Sequence, residues 1–213
     1  MPSVTVRFLT AAVVTTGAFL TTAVTIPNAT AAPCPDIEVV FARGTTEPPG
    51  VGGVGQAFVD SLSSQVGGRA VSVYPVNYPA TNDFGNSIPA GANDASTHVQ
   101  SIAASCPNTR MVLGGYSQGA AVMDVITTSM PPDVADNVAA VAVFGNPSPA
   151  GSLSRRLWSG SLLGIGPLYA GKTIDLCVPG DPICTEGVSM GPHVQYVQTG
   201  MTSQAATFAA GRL

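Results

Sequence analysis

From residue 37 onward, short and nearly unbroken apolar runs alternate with longer amphipathic stretches. Ile37–Ala42 reads as a buried strand, and Val54–Val66 as an amphipathic helix after a Gly/Pro loop. Ala70–Asn77, rich in Val and Tyr, predicts a second strand, and Asn93–Ser105 a helix. Arg110–Gly114 predicts a strand, Gln118–Thr127 a helix, and Val138–Phe144 and Thr173–Cys177 two more strands. Val194–Ala210 reads as largely helical, with a break at Gly200. Short apolar strands separated by helices predict a parallel sheet covered on both faces, an α/β fold. No repeat or interdomain linker interrupts the pattern. Asn146–Gly166 is rich in Gly, Ser and Pro and reads as a long surface loop, exposing Trp158 and Leu162–Leu163. The glycines of Gly50–Gly55 lack an acidic residue at the distance a dinucleotide site needs, so this run reads as a loop.

The first stretch does not belong to that pattern. Phe8–Val24 is apolar or small, Arg7 precedes it, and Ala29-Thr30-Ala31 offers a small-x-small cleavage site. Residues 1–31 read as a secretory signal peptide, with an uncleaved membrane anchor as the rival, and 32–213 as a single domain. The sequon at Asn28 falls inside the leader, and that at Asn146 is blocked by Pro147. Cleavage removes one arginine and no acid, leaving seven basic and twelve acidic residues and a net charge of −5. No basic run exists, which argues against a nucleic-acid partner. Only 9% of residues are charged, a composition suited to secretion or cell-wall association and to transient contact with a lipid or cell-envelope surface. Cys34, Cys106, Cys177 and Cys184 all lie behind the leader, and an even number there predicts disulfides. Three pairings are possible. A metal reading is poor, because no Cys-x-x-Cys or adjacent histidine accompanies them.

Candidate chemistry begins at Gly115-Tyr116-Ser117-Gln118-Gly119, between a predicted strand and a predicted helix. In such a nucleophile elbow the serine Oγ stands out of the sheet, and the helix N-terminus favours developing negative charge. A base must follow, and of two histidines only His193 comes after Ser117. His98, within the Asn93–Ser105 helix, reads as a surface or packing residue. Among the intervening acids, Asp181 sits between Cys177 and Cys184 in a loop beyond a strand, where a carboxylate orienting His193 is expected. Glu186 is the second choice.

Three motifs then carry a resemblance: Phe41-Ala42-Arg43-Gly44-Thr45-Thr46-Glu47, Gly114–Ala120, and Cys177-x-x-x-Asp181-x-x-Cys184 followed by Pro192-His193. With the four cysteines in order, the chain resembles the cutinase family, in particular its mycobacterial-type serine esterases. The resemblance implies a compact α/β-hydrolase with a five-stranded, mainly parallel sheet and no large lid. It implies Ser117, Asp181 and His193 as the catalytic triad, and the pairs Cys34–Cys106 and Cys177–Cys184. It further implies an oxyanion hole from the backbone N–H groups of Thr45 and Gln118 with the Thr45 hydroxyl, supported by Asn86. Val188, Met190 and Val194 flank the histidine and are expected to line an acyl crevice. The implied activity is hydrolysis of carboxylic esters of short to medium acyl chain, extending to lipids or polyesters, by a monomer that needs no cofactor. Two other readings are a polysaccharide acetyl esterase and a catalytically silent secreted surface protein.

Overall fold

The computed structural model describes residues 1–3, 34–157 and 162–213. The leader reading and the expected exposure of Trp158 lie outside the described residues.

The apolar runs become β1 (Ile37–Ala42), β2 (Val71–Pro75), β3 (Arg110–Tyr116), β4 (Val138–Phe144) and β5 (Thr173–Leu176). They pair in the order β2-β1-β3-β4-β5, and every pairing is parallel. β1, β3 and β4 are central and buried along almost their whole length, which explains why Glu38 and Arg110 are their only charged residues. The intervening helices are α1 (Gly52–Gln65), α2 (Phe84–Ser105), α3 (Gln118–Ser129), the single-turn α4 (Pro132–Ala135) and α5 (Ser154–Leu157), and α6 (Met201–Ala210). One core layer joins Val40, Met111, Leu113 and Val141 of the sheet to Ile88, Ala95 and Val99 of α2 and Val122 and Ile126 of α3. The other joins Val39, Phe41, Val112 and Phe144 to Phe58 and Leu62 of α1 and Ala205 and Ala209 of α6. Both faces of the sheet are therefore covered, as the alternation of elements predicts.

Three elements depart from the sequence reading. α2 begins at Phe84 rather than Asn93, carrying Pro89 inside it. That proline removes a helical donor, but the added turns bury Ser87, Ile88, Gly91 and Ala92 against the fold. Burial there outweighs the local breaker signals. The Gly50–Gly55 run is not all loop: Gly52–Gly55 open α1, and Glu47 Oε1 accepts the Gly53 N–H at 2.9 Å. A carboxylate at a helix N-terminus stabilises it. The predicted Val194–Ala210 helix is a 3-10 turn at Pro192–Val194 followed, after Gly200, by α6. The cysteines pair as Cys34–Cys106 and Cys177–Cys184.

Candidate active site

Ser117 follows β3 directly, at φ 55° and ψ −118°, and α3 starts at the next residue. Left-handed backbone at a residue with a side chain is strained, and such strain collects at functional positions. The Ser117 N–H is held by the Phe144 carbonyl at 2.8 Å. A Cβ on Gly115 would run into the Gly119 carbonyl, and one on Gly119 into the Ala42 carbonyl. The two glycines let β1, the turn and α3 pack this closely.

Asp181 comes from the loop after β5, which the Cys177–Cys184 bridge closes. Its carboxylate is fully buried. Oδ2 accepts from His193 Nδ1 at 2.7 Å and from the Tyr196 hydroxyl at 2.5 Å, and Oδ1 accepts from the Ile183 N–H at 2.9 Å. Burial alone would raise its pKa. The donors from His193, Tyr196 and Ile183 outweigh that cost and hold it below the ordinary carboxylate value. Gly145, at φ 57°, lies beneath the pair: a Cβ there would stand 2.9 Å from His193 Cε1 and from the Tyr196 oxygen. His193 is 4% exposed. Its ring stacks on Tyr116 at 5.0 Å between centroids, and the Tyr116 hydroxyl donates to the His193 carbonyl at 2.7 Å. The residue between Gly115 and Ser117 thus tethers the histidine segment to the elbow.

Ser117 and His193 line one open cleft of about 290 Å³ with Thr45, Tyr116, Leu153, Ile183, Met190 and Val194. They share the cleft rather than a hydrogen bond; such contacts are often long in free enzymes and tighten around substrate. Thr45 lies in the turn after β1, which the Glu47 N–H closes on the Gly44 carbonyl at 3.3 Å. Glu47 Oε2 accepts the Gly44 N–H at 2.6 Å, and buried Arg43 donates to the Tyr78 carbonyl at 2.7 Å. These bonds account for Arg43 and Glu47 of the Phe41–Glu47 motif.

Several expectations need correction. Asn86 does not reach Thr45; its side-chain amide donates to Asp83 at the exposed start of α2. The Thr45 hydroxyl instead accepts from Gln118 Nε2 at 3.4 Å, and buried Ser87 donates to Gln118 Oε1 at 2.8 Å. The helical turn swaps the two neighbours, directing Ser87 inward and Asn86 to solvent. Val188 is fully exposed in an adjoining groove with Arg156 and Ser189, outside the Ser117 cleft; Met190 lines both, and Val194 lines the Ser117 cleft. Glu186, the second-choice acid, is exposed and pairs with Arg155 at 2.6 Å. His98 is away from the cleft, bonded to Glu38 at 2.9 Å and stacked on Tyr74, a packing role as read. Leu153, Ile183, Tyr196 and Gly145 carry no motif of their own, and only the fold brings them to the site.

A family model described as cutinase matches residues 33–213. The chain is 59% identical over 213 residues to carboxylesterase Culp1 of Mycobacterium tuberculosis, covering all of this chain and 97% of that one. It is 47% identical to phospholipase Culp4 of the same organism, covering 96% and 90%. Among solved structures, a Trichoderma reesei cutinase in complex with a phosphonate inhibitor superposes with a TM-score of 0.66 at 31% identity, covering 84% of this chain and 77% of that one. The chain belongs to the cutinase family, a family of carboxylic ester hydrolases.

Proposed function

We propose that this protein is a secreted serine esterase, with Ser117 as nucleophile, His193 as general base and acid, and Asp181 as the carboxylate that orients it. The observation that carries the reading is the buried Asp181–His193 bond of 2.7 Å presented to a cleft that also holds the strained elbow serine. His193 takes the Ser117 proton as Oγ attacks the ester carbonyl. The backbone N–H groups of Thr45 and Gln118 receive the oxyanion, His193 protonates the departing alcohol, and water activated by the same ring frees the acid. This route calls on no metal or organic cofactor. Ionised Asp181 stabilises the imidazolium at each step.

A cleft of about 290 Å³ with apolar walls suits a short to medium acyl chain. Leu157, Met190 and Val194 are exposed at its rim, which suits a lipid or other ester-rich surface, and the similarity to phospholipase Culp4 supports lipid esters as substrates. The apolar segment Phe8–Val24 and the two disulfides support a signal peptide cleaved after Ala31 and export to an oxidising compartment, where the protein acts as a monomer. The test is a series of p-nitrophenyl esters of rising acyl length, run on residues 32–213. Turnover should be highest on short to medium chains, and Ser117→Ala should abolish it at unchanged circular dichroism. Hydrolysis surviving in Ser117→Ala would sink the assignment.

A further inference from the structure

Tyr196 is fully buried between the 3-10 turn at Pro192–Val194 and α6. Its ring meets Tyr116, Phe144 and His193 edge-on, with centroids 5.7, 6.0 and 6.2 Å away. Phenylalanine would supply that packing equally well. What phenylalanine lacks is the hydroxyl, which donates to Asp181 Oδ2 at 2.5 Å, the same oxygen that accepts from His193 Nδ1. The direction of this bond is fixed by its surroundings. The Val178 N–H approaches the Tyr196 oxygen at 3.4 Å, so the phenol accepts there and aims its own proton elsewhere. A carboxylate can only accept, and it is the group that proton meets.

We infer that Tyr196 is a positioning residue that shares the charge of Asp181 Oδ2 with His193 and thereby sets how firmly the carboxylate holds the protonated imidazole. The inference rests on the triad reading and deepens it. Burial and the neighbouring Asp181 both keep the phenol protonated far above neutrality, so it remains a donor throughout the working range. The groups facing the pair are Asp181 from the loop after β5, Tyr116 from β3 and Tyr196 itself, with Glu47 acting on Tyr116 from the turn before α1. Of these, Tyr196 alone is hydrogen-bonded to the carboxylate oxygen that orients His193.

Removing one donor from a buried carboxylate concentrates its charge on the donor that remains. In Tyr196→Phe the protonated imidazole is then favoured to higher pH. Because the base must be neutral to accept the serine proton, the acid limb of kcat/KM should move upward. kcat should fall about tenfold through lost geometry, with KM nearly unchanged. The experiment is the pH profile of p-nitrophenyl butyrate hydrolysis by residues 32–213 as wild type, Tyr196→Phe, Asp181→Asn and the double variant. Active sites are counted by a fluorophosphonate probe. Added to Asp181→Asn, the tyrosine change should cost nothing further, since its effect runs through that carboxylate. A wild-type profile and kcat in Tyr196→Phe, or a full further loss in the double variant, would overturn the inference. If Tyr196→Phe fails to fold, 3-fluorotyrosine incorporated at position 196 alone reads the same contact. Its more acidic phenol is a stronger donor and should shift the acid limb downward, and no shift would overturn the inference. Activity persisting in Ser117→Ala would instead defeat the triad reading itself, which separates the two failures.

Discussion

At the scale of single residues, the site is held by polar atoms that motifs do not reveal. Ser87 is 1% exposed; its hydroxyl donates to Gln118 Oε1 and accepts the Thr81 N–H at 3.2 Å. Gln118 Nε2 in turn donates to the Thr81 carbonyl at 2.7 Å and to Thr45 Oγ1. The two residues proposed to bind the oxyanion are thus locked to one another through Gln118, with Ser87 behind it. Ser87→Ala leaves a buried acceptor without its donor, at a cost of about 1–3 kcal/mol. It should also lower kcat about tenfold, because the N–H of Gln118 is no longer held on target. Asn86→Ala changes only a surface contact and should leave both melting temperature and kcat near wild type. Paired measurements of melting temperature and p-nitrophenyl butyrate turnover decide it. A larger loss in Asn86→Ala than in Ser87→Ala would restore Asn86 as the support of Thr45.

At the scale of elements, the two bridges constrain different things. Cys34–Cys106 ties the segment before β1 to the end of α2 across 72 residues, while Cys177–Cys184 spans seven and encloses Asp181. Loop-closure entropy assigns about 4 kcal/mol to the long loop and about 2.5 kcal/mol to the short one. Cys34→Ala/Cys106→Ala should therefore lower the melting temperature more, and Cys177→Ala/Cys184→Ala should lower kcat more, through misplacement of Asp181. Equal kcat in wild type and the Cys177/Cys184 variant would show that Ile183, His193 and Tyr196 suffice to place the carboxylate. The strand pattern was legible because β1, β3 and β4 are buried on both faces and are therefore predominantly apolar, with buried Glu38 partnered by His98. The elbow was legible because its glycines answer a backbone collision that any side chain would cause. The start of α2 was not, since Pro89 and two nearby glycines signal a turn locally, while the burial of Ser87, Ile88 and Gly91 is decided by distant elements. Nor was Tyr196, whose hydroxyl meets Asp181 only after the chain has folded back from β5 to α6.

At the scale of the whole molecule, one buried acid joins the elbow helix to the segment beyond β4. Asp124 of α3 is 2% exposed, and Asn146, just beyond β4, donates its side-chain amide to Asp124 Oδ1 at 3.1 Å. Burial pushes the Asp124 carboxyl up to about 8; the Asn146 bond works against that rise, and the charge of Asp175 on β5 adds to it. The native state therefore keeps a proton that the unfolded chain releases near the ordinary value of 3.8. Between these limits the folded protein binds more protons than the unfolded one, so stability falls as pH climbs through that window. Asp181 runs the other way: its lowered pKa gives stability that is present above the ordinary carboxylate value and lost on acidification. The molecule is therefore squeezed from both sides. Asp124→Asn removes the alkaline limb while keeping a side chain of the same shape that hydrogen-bonds Asn146. Its melting temperature should exceed wild type at about pH 8 and lose that advantage progressively toward about pH 3, where wild-type Asp124 is mostly protonated in both states. Thermal melts of wild type and Asp124→Asn across that range provide the check. Parallel curves would mean that Asp124 ionises in the folded core without penalty and that the Asn146 amide satisfies its charge in full.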